Sequence, residues 1–205
     1  KILVTGGNGR FTEVFKKENT LLDLKFLSKK EFNILNLKSI EKSLIKYKPK
    51  ILIHTAGLSR PMEQHEKNIS KSIDLNIIGT ANVVKMCKKY NIKIIYFSTN
   101  YVYAGLKGNY KEYDPVLPWN NYGWSKIGGE SAVQMYKNSL ILRVCMTEKP
   151  FLHKSAYSNV RTNFIYQEDI AKILPKLINK KGIIILSSVI KTSWVIFFEA
   201  KYFMQ

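Results

Sequence analysis

The sequence predicts an α/β fold built on a doubly wound parallel sheet. Three observations predict it. Short apolar, β-branched runs alternate with longer amphipathic stretches along the chain. The first run stops at Gly6-Gly7-Asn8-Gly9 before a helical pattern, which is the strand, glycine turn and helix order of a phosphate-binding loop. Later runs end in small or hydroxylated residues, where open α/β sheets bind ligands.

Lys1 to Thr5 is the first strand, and a helix is expected from Arg10 to Lys17. Gly6 and Gly9 would let the backbone turn tightly and approach a pyrophosphate, whose charge suits a helix N-terminus; a plain strand-to-helix turn is the alternative. The third glycine of such fingerprints falls at Thr12, where a side chain is expected to loosen helix-to-strand packing or change the depth of a cofactor. Leu24 to Leu27 is the second strand, ending in Ser28-Lys29-Lys30. No acidic side chain stands there to hold a ribose 2′-hydroxyl. Lys29 or Lys30 would pair with a 2′-phosphate, favouring NADP over NAD; two solvated lysines are the alternative. Asn33-Ile34-Leu35-Asn36 would follow beside the adenine, before a crossover helix from Ser39 to Tyr47.

Ile51 to Gly57 is a third buried strand, running into Thr55-Ala56-Gly57, small residues against which a cofactor would lie; His54 reads as a packed strand residue. A long amphipathic helix is expected from about Asn68 to Tyr90, with Ile69, Ile73, Ile77, Ala81 and Val84 on its apolar side. Asn76 falls near that stripe, where a buried amide needs hydrogen-bond partners and would tie two backbones together. Ile92 to Phe97 is the fourth strand, and Ser98-Thr99-Asn100 puts hydroxyls at its ligand end. The loop from Tyr101 to Pro118 is long enough to expect a function. After the Tyr122 helix come a fifth strand at Leu140 to Val144, a helix at Gln167 to Asn179 and a strand at Gly182 to Leu186. No repeat, low-complexity tract or linker interrupts the alternation.

With 205 residues, 45% of them apolar and 23% charged, the chain suits one soluble domain with a substantial core. No apolar run approaches the roughly 20 residues of a membrane span. The opening run leaves no room for a cleaved signal peptide, and Cys87 and Cys145 lack metal-like spacing, so a reduced, cytoplasmic protein and no metal are expected. The net charge of +18 comes from lysines scattered along the chain with no basic stripe interleaved with aromatics. That excludes a recognisable nucleic-acid motif, and a positive field equally suits a dinucleotide or a nucleotide-sugar.

Tyr122 and Lys126 lie four residues apart, one helical turn on one face. A nearby ammonium lowers the pKa of a phenol. Bringing a phenol from near 10 to neutrality takes roughly 4 kcal/mol, so a second positive charge, such as an oxidised nicotinamide ring, would help. The pair gains meaning from the motifs around it.

Together these residues resemble the extended short-chain dehydrogenase/reductase superfamily. Thr5-Gly6-Gly7-Asn8-Gly9 is similar to its cofactor loop, Thr55-Ala56-Gly57 to its strand-end motif, Asn76 to its helix asparagine, and Thr99, Tyr122 and Lys126 to its catalytic trio. Ser98 to Gly105, Tyr110-Lys111-Glu112 and Tyr122 to Glu130 most resemble dTDP-4-dehydrorhamnose reductases. The resemblance covers Lys1 to about Val144. It implies a Rossmann-type domain over 1–144 and a short, reduced substrate-binding region over 145–205, packed on the same domain. It also implies hydride transfer from NADPH, with NADH as alternative, to the C4 ketone of a deoxy-sugar on a nucleoside diphosphate. Tyr122 would donate the proton, Lys126 would tune Tyr122 and hold the nicotinamide ribose, and Thr99 would bond the reacting oxygen. The implied cofactor contacts are Gly6, Asn8, Gly9, Arg10, Phe11, Lys29, Asn33, Ile34, Thr55, Ala56, Gly57, Asn76, Tyr122 and Lys126.

The sequence departs from this pattern at Thr12, at Asn100, where the reductases usually have aspartate, and after Arg143, where little chain precedes Phe164 to Ala171, a segment similar to one that returns to the core. The apolar, aromatic stretch from Ile185 onward aligns with nothing in the family and would invite association; a homodimer is the expected self-association. Rival expectations are a nucleotide-sugar epimerase or dehydratase of the same fold and a non-catalytic dinucleotide-binding regulatory subunit.

Overall fold

Strands that are apolar without polar alternation must be covered on both faces, and the central strands of the six that pair here in one parallel sheet are of that kind. The computed structural model describes residues 1–150 and 164–187. The sheet comprises β1 (Ile2–Val4), β2 (Leu24–Phe26), β3 (Ile51–His54), β4 (Lys93–Ser98), β5 (Ser139–Val144) and, further along the chain, β8 (Gly182–Leu186), in the spatial order β2-β1-β3-β4-β5-β8. A separate short parallel pair joins β6 (Met146–Thr147) to β7 (Ile165–Tyr166), an element the sequence pattern did not reveal.

Alternate residues of each strand feed opposite layers, as the two-residue period requires. Leu3, Leu52, Ile94, Tyr96 and Ile141 pack with Ile40 and Leu44 of α2 (Leu37–Tyr47) and with Val83 and Cys87 of α5 (Gly79–Lys89). Val4, Ile53, Ile95 and Leu142 pack with Phe11 and Phe15 of α1 (Arg10–Glu18) and with Ile170 and Leu174 of α7 (Gln167–Leu177). The chain leaves β1 for β2 on one side and reaches β3 on the other, so the glycine loop after β1 sits where the strand order reverses, the usual ligand crevice of open α/β sheets.

The long helix expected over Asn68–Tyr90 is instead segmented. After α3 (Gln64–Lys67) come α4 (Ile69–Ser72), a π-helical turn over Ile73–Ile78 and then α5. Its apolar stripe also differs from expectation: Ile69 is 53% and Ile73 41% exposed, while Ser72, Asn76, Gly79, Thr80, Val83 and Cys87 are buried. The extra residue of a π turn shifts the inward face. The helix also lies against α6 (Asn121–Gln134) so closely that a Cβ at Gly129 would strike the Asn76 carbonyl oxygen. Such an approach admits small polar side chains and leaves Ile69 and Ile73 outward, while Ile77 packs on Gly128 of α6.

The apolar stretch expected from Ile185 onward runs past β8 into 188–205, outside the described residues. Among the described residues, no helix is long and apolar enough to cross a membrane.

Candidate functional site

Two strand ends are first locked together. Thr5, after β1, receives the backbone N–H groups of Thr55 and Ala56 on its hydroxyl at 3.2 and 3.1 Å, and the Thr55 hydroxyl donates to the Thr5 carbonyl. His54 is buried between Thr5 and Thr80, ring nitrogens 2.9 and 3.2 Å from their hydroxyls, and burial holds it neutral with a pKa down at about 3. It is a structural residue.

The loop that follows depends on Gly6. Its φ is +66°, and a Cβ there would come 3.0 Å from the Ala56 backbone, so any side chain would be both strained and obstructed. Thr12 corrects an expectation. Its side chain does not loosen the helix; it is buried, and its hydroxyl donates to the carbonyls of Gly6 at 2.9 Å and Gly9 at 2.7 Å. Its single proton, shared between the two loop carbonyls, ties α1 to the glycine turn.

Tyr122 and Lys126 lie on α6. That helix starts at Asn121 because the Asn120 side chain accepts the Gly123 N–H at 2.8 Å and the Glu66 carboxylate of α3 accepts the Asn121 N–H at 3.2 Å. The Tyr122 ring packs between His65 and Tyr101, centroids 5.0 and 5.8 Å away. Burial pushes its pKa up to about 12, opposed by a hydrogen bond with Thr99. The Lys126 ammonium stands 4.3 Å over the face of Tyr96, and burial pushes its pKa down to about 7, opposed by the Glu130 carboxylate one turn further on. The expected drop in the phenol pKa caused by Lys126 is therefore not realised in the protein alone, where desolvation outweighs the Thr99 hydrogen bond and the Arg60 charge. Tyr122 stays protonated, as a proton donor must.

Glu130 and Arg143 form the deepest ion pair among the described residues, with side chains 0% and 3% exposed, at 2.5 Å. Glu130 also accepts the Ser98 hydroxyl, and Arg143 donates to Tyr103 at 2.6 Å and to the Glu112 carbonyl at 2.9 Å. The pair thus joins α6, the end of β4 and the long loop. Asn76 makes a second tie: it accepts from Leu58 N at 2.7 Å and donates to Leu58 O at 2.9 Å and to Ser125 at 2.8 Å. Ser125 in turn donates to the Tyr122 carbonyl at 2.8 Å.

These parts converge on one cleft of about 220 Å³. Gly6, Gly9, Arg10, Phe11, Thr55, Gly57, Thr99, Tyr122 and Lys126 all line it. Asn8, Lys29, Asn33, Ile34, Ala56 and Asn76 lie off its walls: Asn8 and Lys29 are exposed, Ile34 is buried in the core, and Asn76 acts through Leu58 and Ser125. Sequence reasoning did not single out Arg60, Glu148 and Gln167, which also line it. Arg60 and Glu148 are paired at 2.9 Å, with Arg10 4.0 Å from the same carboxylate. They come from separate loops, and no local spacing announces them. Glu31 was also missed: three residues beyond Ser28, it accepts from the Ser28 N–H and hydroxyl at 2.9 Å each. A Ser-x-x-Glu capping box would have found it. No group of three or more His, Cys, Asp or Glu among the described residues could hold a metal ion.

The sequence model of the RmlD substrate binding domain matches residues 1–149. A dTDP-4-dehydrorhamnose reductase of Aggregatibacter actinomycetemcomitans is 29% identical over 72% of this chain and 51% of its own length. Methionine adenosyltransferase 2 subunit beta of Xenopus laevis is 32% identical over 70% of this chain and 46% of its own. The chain thus spans about half the length of the curated relatives it matches. Among solved structures, a dTDP-4-dehydrorhamnose reductase of Bacillus anthracis in complex with NADP superposes with a TM-score of 0.83 at 23% identity, over 92% of this chain and 74% of that one. The shared fold is the Rossmann-type doubly wound sheet.

Proposed function

The chain belongs to the RmlD substrate binding domain family, and on that premise we propose that it carries out NADPH-dependent reduction of a 4-keto-deoxy nucleotide-sugar. The observation that carries this reading is the single cleft shared by the glycine loop and by Thr99, Tyr122 and Lys126. The loop fits a dinucleotide: Gly6 takes the positive φ that closes the turn, and Gly9, Arg10 and Phe11 at the N-terminus of α1 line the cleft that a pyrophosphate would enter. Gly6, Asn8, Gly9, Arg10 and Phe11 would hold the pyrophosphate, Lys29 a 2′-phosphate, and Asn33 and Ile34 the adenine side. Thr55, Ala56 and Gly57 would back the cofactor, with Asn76 bracing them. Exposed Lys29 and Lys30 favour NADP; Glu31, turned onto Ser28 at the same strand end, keeps NAD as the alternative.

When bound, the dinucleotide supplies a hydride to the ketone carbon. Tyr122, kept protonated by burial, donates its phenolic proton to the forming alkoxide, and Thr99 donates a hydrogen bond to the same oxygen. Lys126 holds the nicotinamide ribose and, while charged, eases proton loss from Tyr122. We assign most of the cofactor binding to 1–144 and the nucleotide-sugar to 145–205.

Exposed Ile69, Ile73 and Trp124, on neighbouring helices, support a homodimer, which sedimentation analysis tests. A cytoplasmic location belongs to the same proposal, and cell fractionation tests it.

The test is loss of NADPH fluorescence on adding a dTDP-4-keto-6-deoxyhexose. Steady oxidation dependent on the sugar is expected; NADPH binding with no oxidation on any nucleotide-sugar contradicts a reductase. That second result favours a regulatory subunit, the reading supported by the subunit-beta relative. A tightly retained oxidised cofactor favours an epimerase or dehydratase.

A further inference from the structure

Gln167 opens α7 directly after β7, whose pairing with β6 sets it near the cleft residue Met146. It lines the cleft, is only 5% exposed, and its Oε1, itself buried, has no hydrogen-bond partner among the described residues. Buried side-chain amides are nearly always bonded, so an orphan beside the cleft is an acceptor that a turn of the side-chain amide would offer to something that enters it. Phe11, Phe97, Val144 and Met146 line the same cleft and are apolar. This apolar part of the lining, beside one unpartnered amide, suits a flat, apolar ring bearing one polar arm.

We propose that Gln167 binds the carboxamide of the nicotinamide ring, a role that rests on the dinucleotide reading above. Its Oε1 accepts a carboxamide N–H, and its Nε2 donates to the carboxamide oxygen. Two primary amides are self-complementary, so the contact forms whichever way the glutamine is turned. Fixed by that arm, the ring can present only one face to Tyr122, and Gln167 becomes a positioning residue for hydride delivery.

The role gives an unusual signature. Because Oε1 has no partner among the described residues, Gln167→Leu removes an unsatisfied polar group and should leave the melting temperature of the cofactor-free protein unchanged or raised. The same variant should bind NADPH about tenfold more weakly. Its affinity for the reduced 3-acetylpyridine analogue, which lacks the carboxamide N–H, should change about threefold or less. Fluorescence titration of wild type and variant with both probes measures this, with Gln167→Met as the second variant should the leucine protein not fold. Unchanged NADPH affinity, or an equal loss for both probes, overturns the proposal while leaving the dinucleotide reading intact. Wild-type protein that binds neither probe overturns the dinucleotide reading itself.

Discussion

The glycine loop and the Tyr122–Lys126 pair line the same cleft but are governed by different forces. In the loop, backbone geometry decides: Gly6 at positive φ, the Gly9 N–H on the Gly6 carbonyl at 2.8 Å, and the Thr12 hydroxyl bridging the Gly6 and Gly9 carbonyls. Those partners lie within one turn and the start of one helix. At the pair, the deciding groups come from elsewhere in the chain. Thr99 bonds Tyr122, Tyr96 lies under the Lys126 ammonium, and His65 packs on the Tyr122 ring. A loop motif therefore carries its own geometry. Tyr-x-x-x-Lys spacing fixes only a shared helix face, while burial sets the proton affinities.

The largest effect should come from the pair. Tyr122→Phe removes the proton donor and should lower turnover by about 10²–10⁴-fold while leaving NADPH affinity nearly intact; steady-state rates and a fluorescence titration measure both. Undiminished turnover would separate the pair from the chemistry. Glu130→Ala would leave the Arg143 guanidinium buried without its carboxylate, so a loss of about 3–5 kcal/mol in denaturant unfolding is expected.

Lys126→Met separates chemistry from stability. Burial lowers the folded-state pKa of Lys126 to about 7, against 10.5 for the free side chain. Between those values the unfolded chain binds more protons, so stability should rise with pH across that window; below about 7 the full cost of burying the charge remains. The variant should therefore gain about 2 kcal/mol at pH 6 and lose that slope, less than the full shift implies because the ammonium still meets water in the cleft. Unfolding curves at pH 6, 8 and 10 check both.

The smallest effect belongs to the loop. Thr12→Gly restores the three-glycine fingerprint yet removes the hydroxyl bridge and adds a glycine to α1, so unfolding stability should fall by about 1–2 kcal/mol. A rise would mean that the fingerprint, not the bridge, is the better packing.

The alternation of strands and helices, the glycine loop and the helix bearing Tyr122 were legible because each is written in local spacing. The inward face of the segment from Ile69 to Lys89 was not, since a π turn shifts the face and a backbone-to-backbone approach at Gly129 favours small polar residues over isoleucine. Arg60, Glu148 and Gln167 reach the cleft only through the fold. Thr12 was legible as a departure but not in its direction, because the fingerprint counts side-chain volume and not the carbonyls a hydroxyl can satisfy.

The claim that burial, not the neighbouring helix position, sets the pair's proton affinities is tested most directly by the pH dependence of Lys126 acetylation. Brief labelling of the cofactor-free protein with acetic anhydride, read by mass spectrometry of the Lys126 peptide, gives the midpoint. A midpoint near 7 is predicted; one near 10.5, the value of a solvated lysine, would contradict the account.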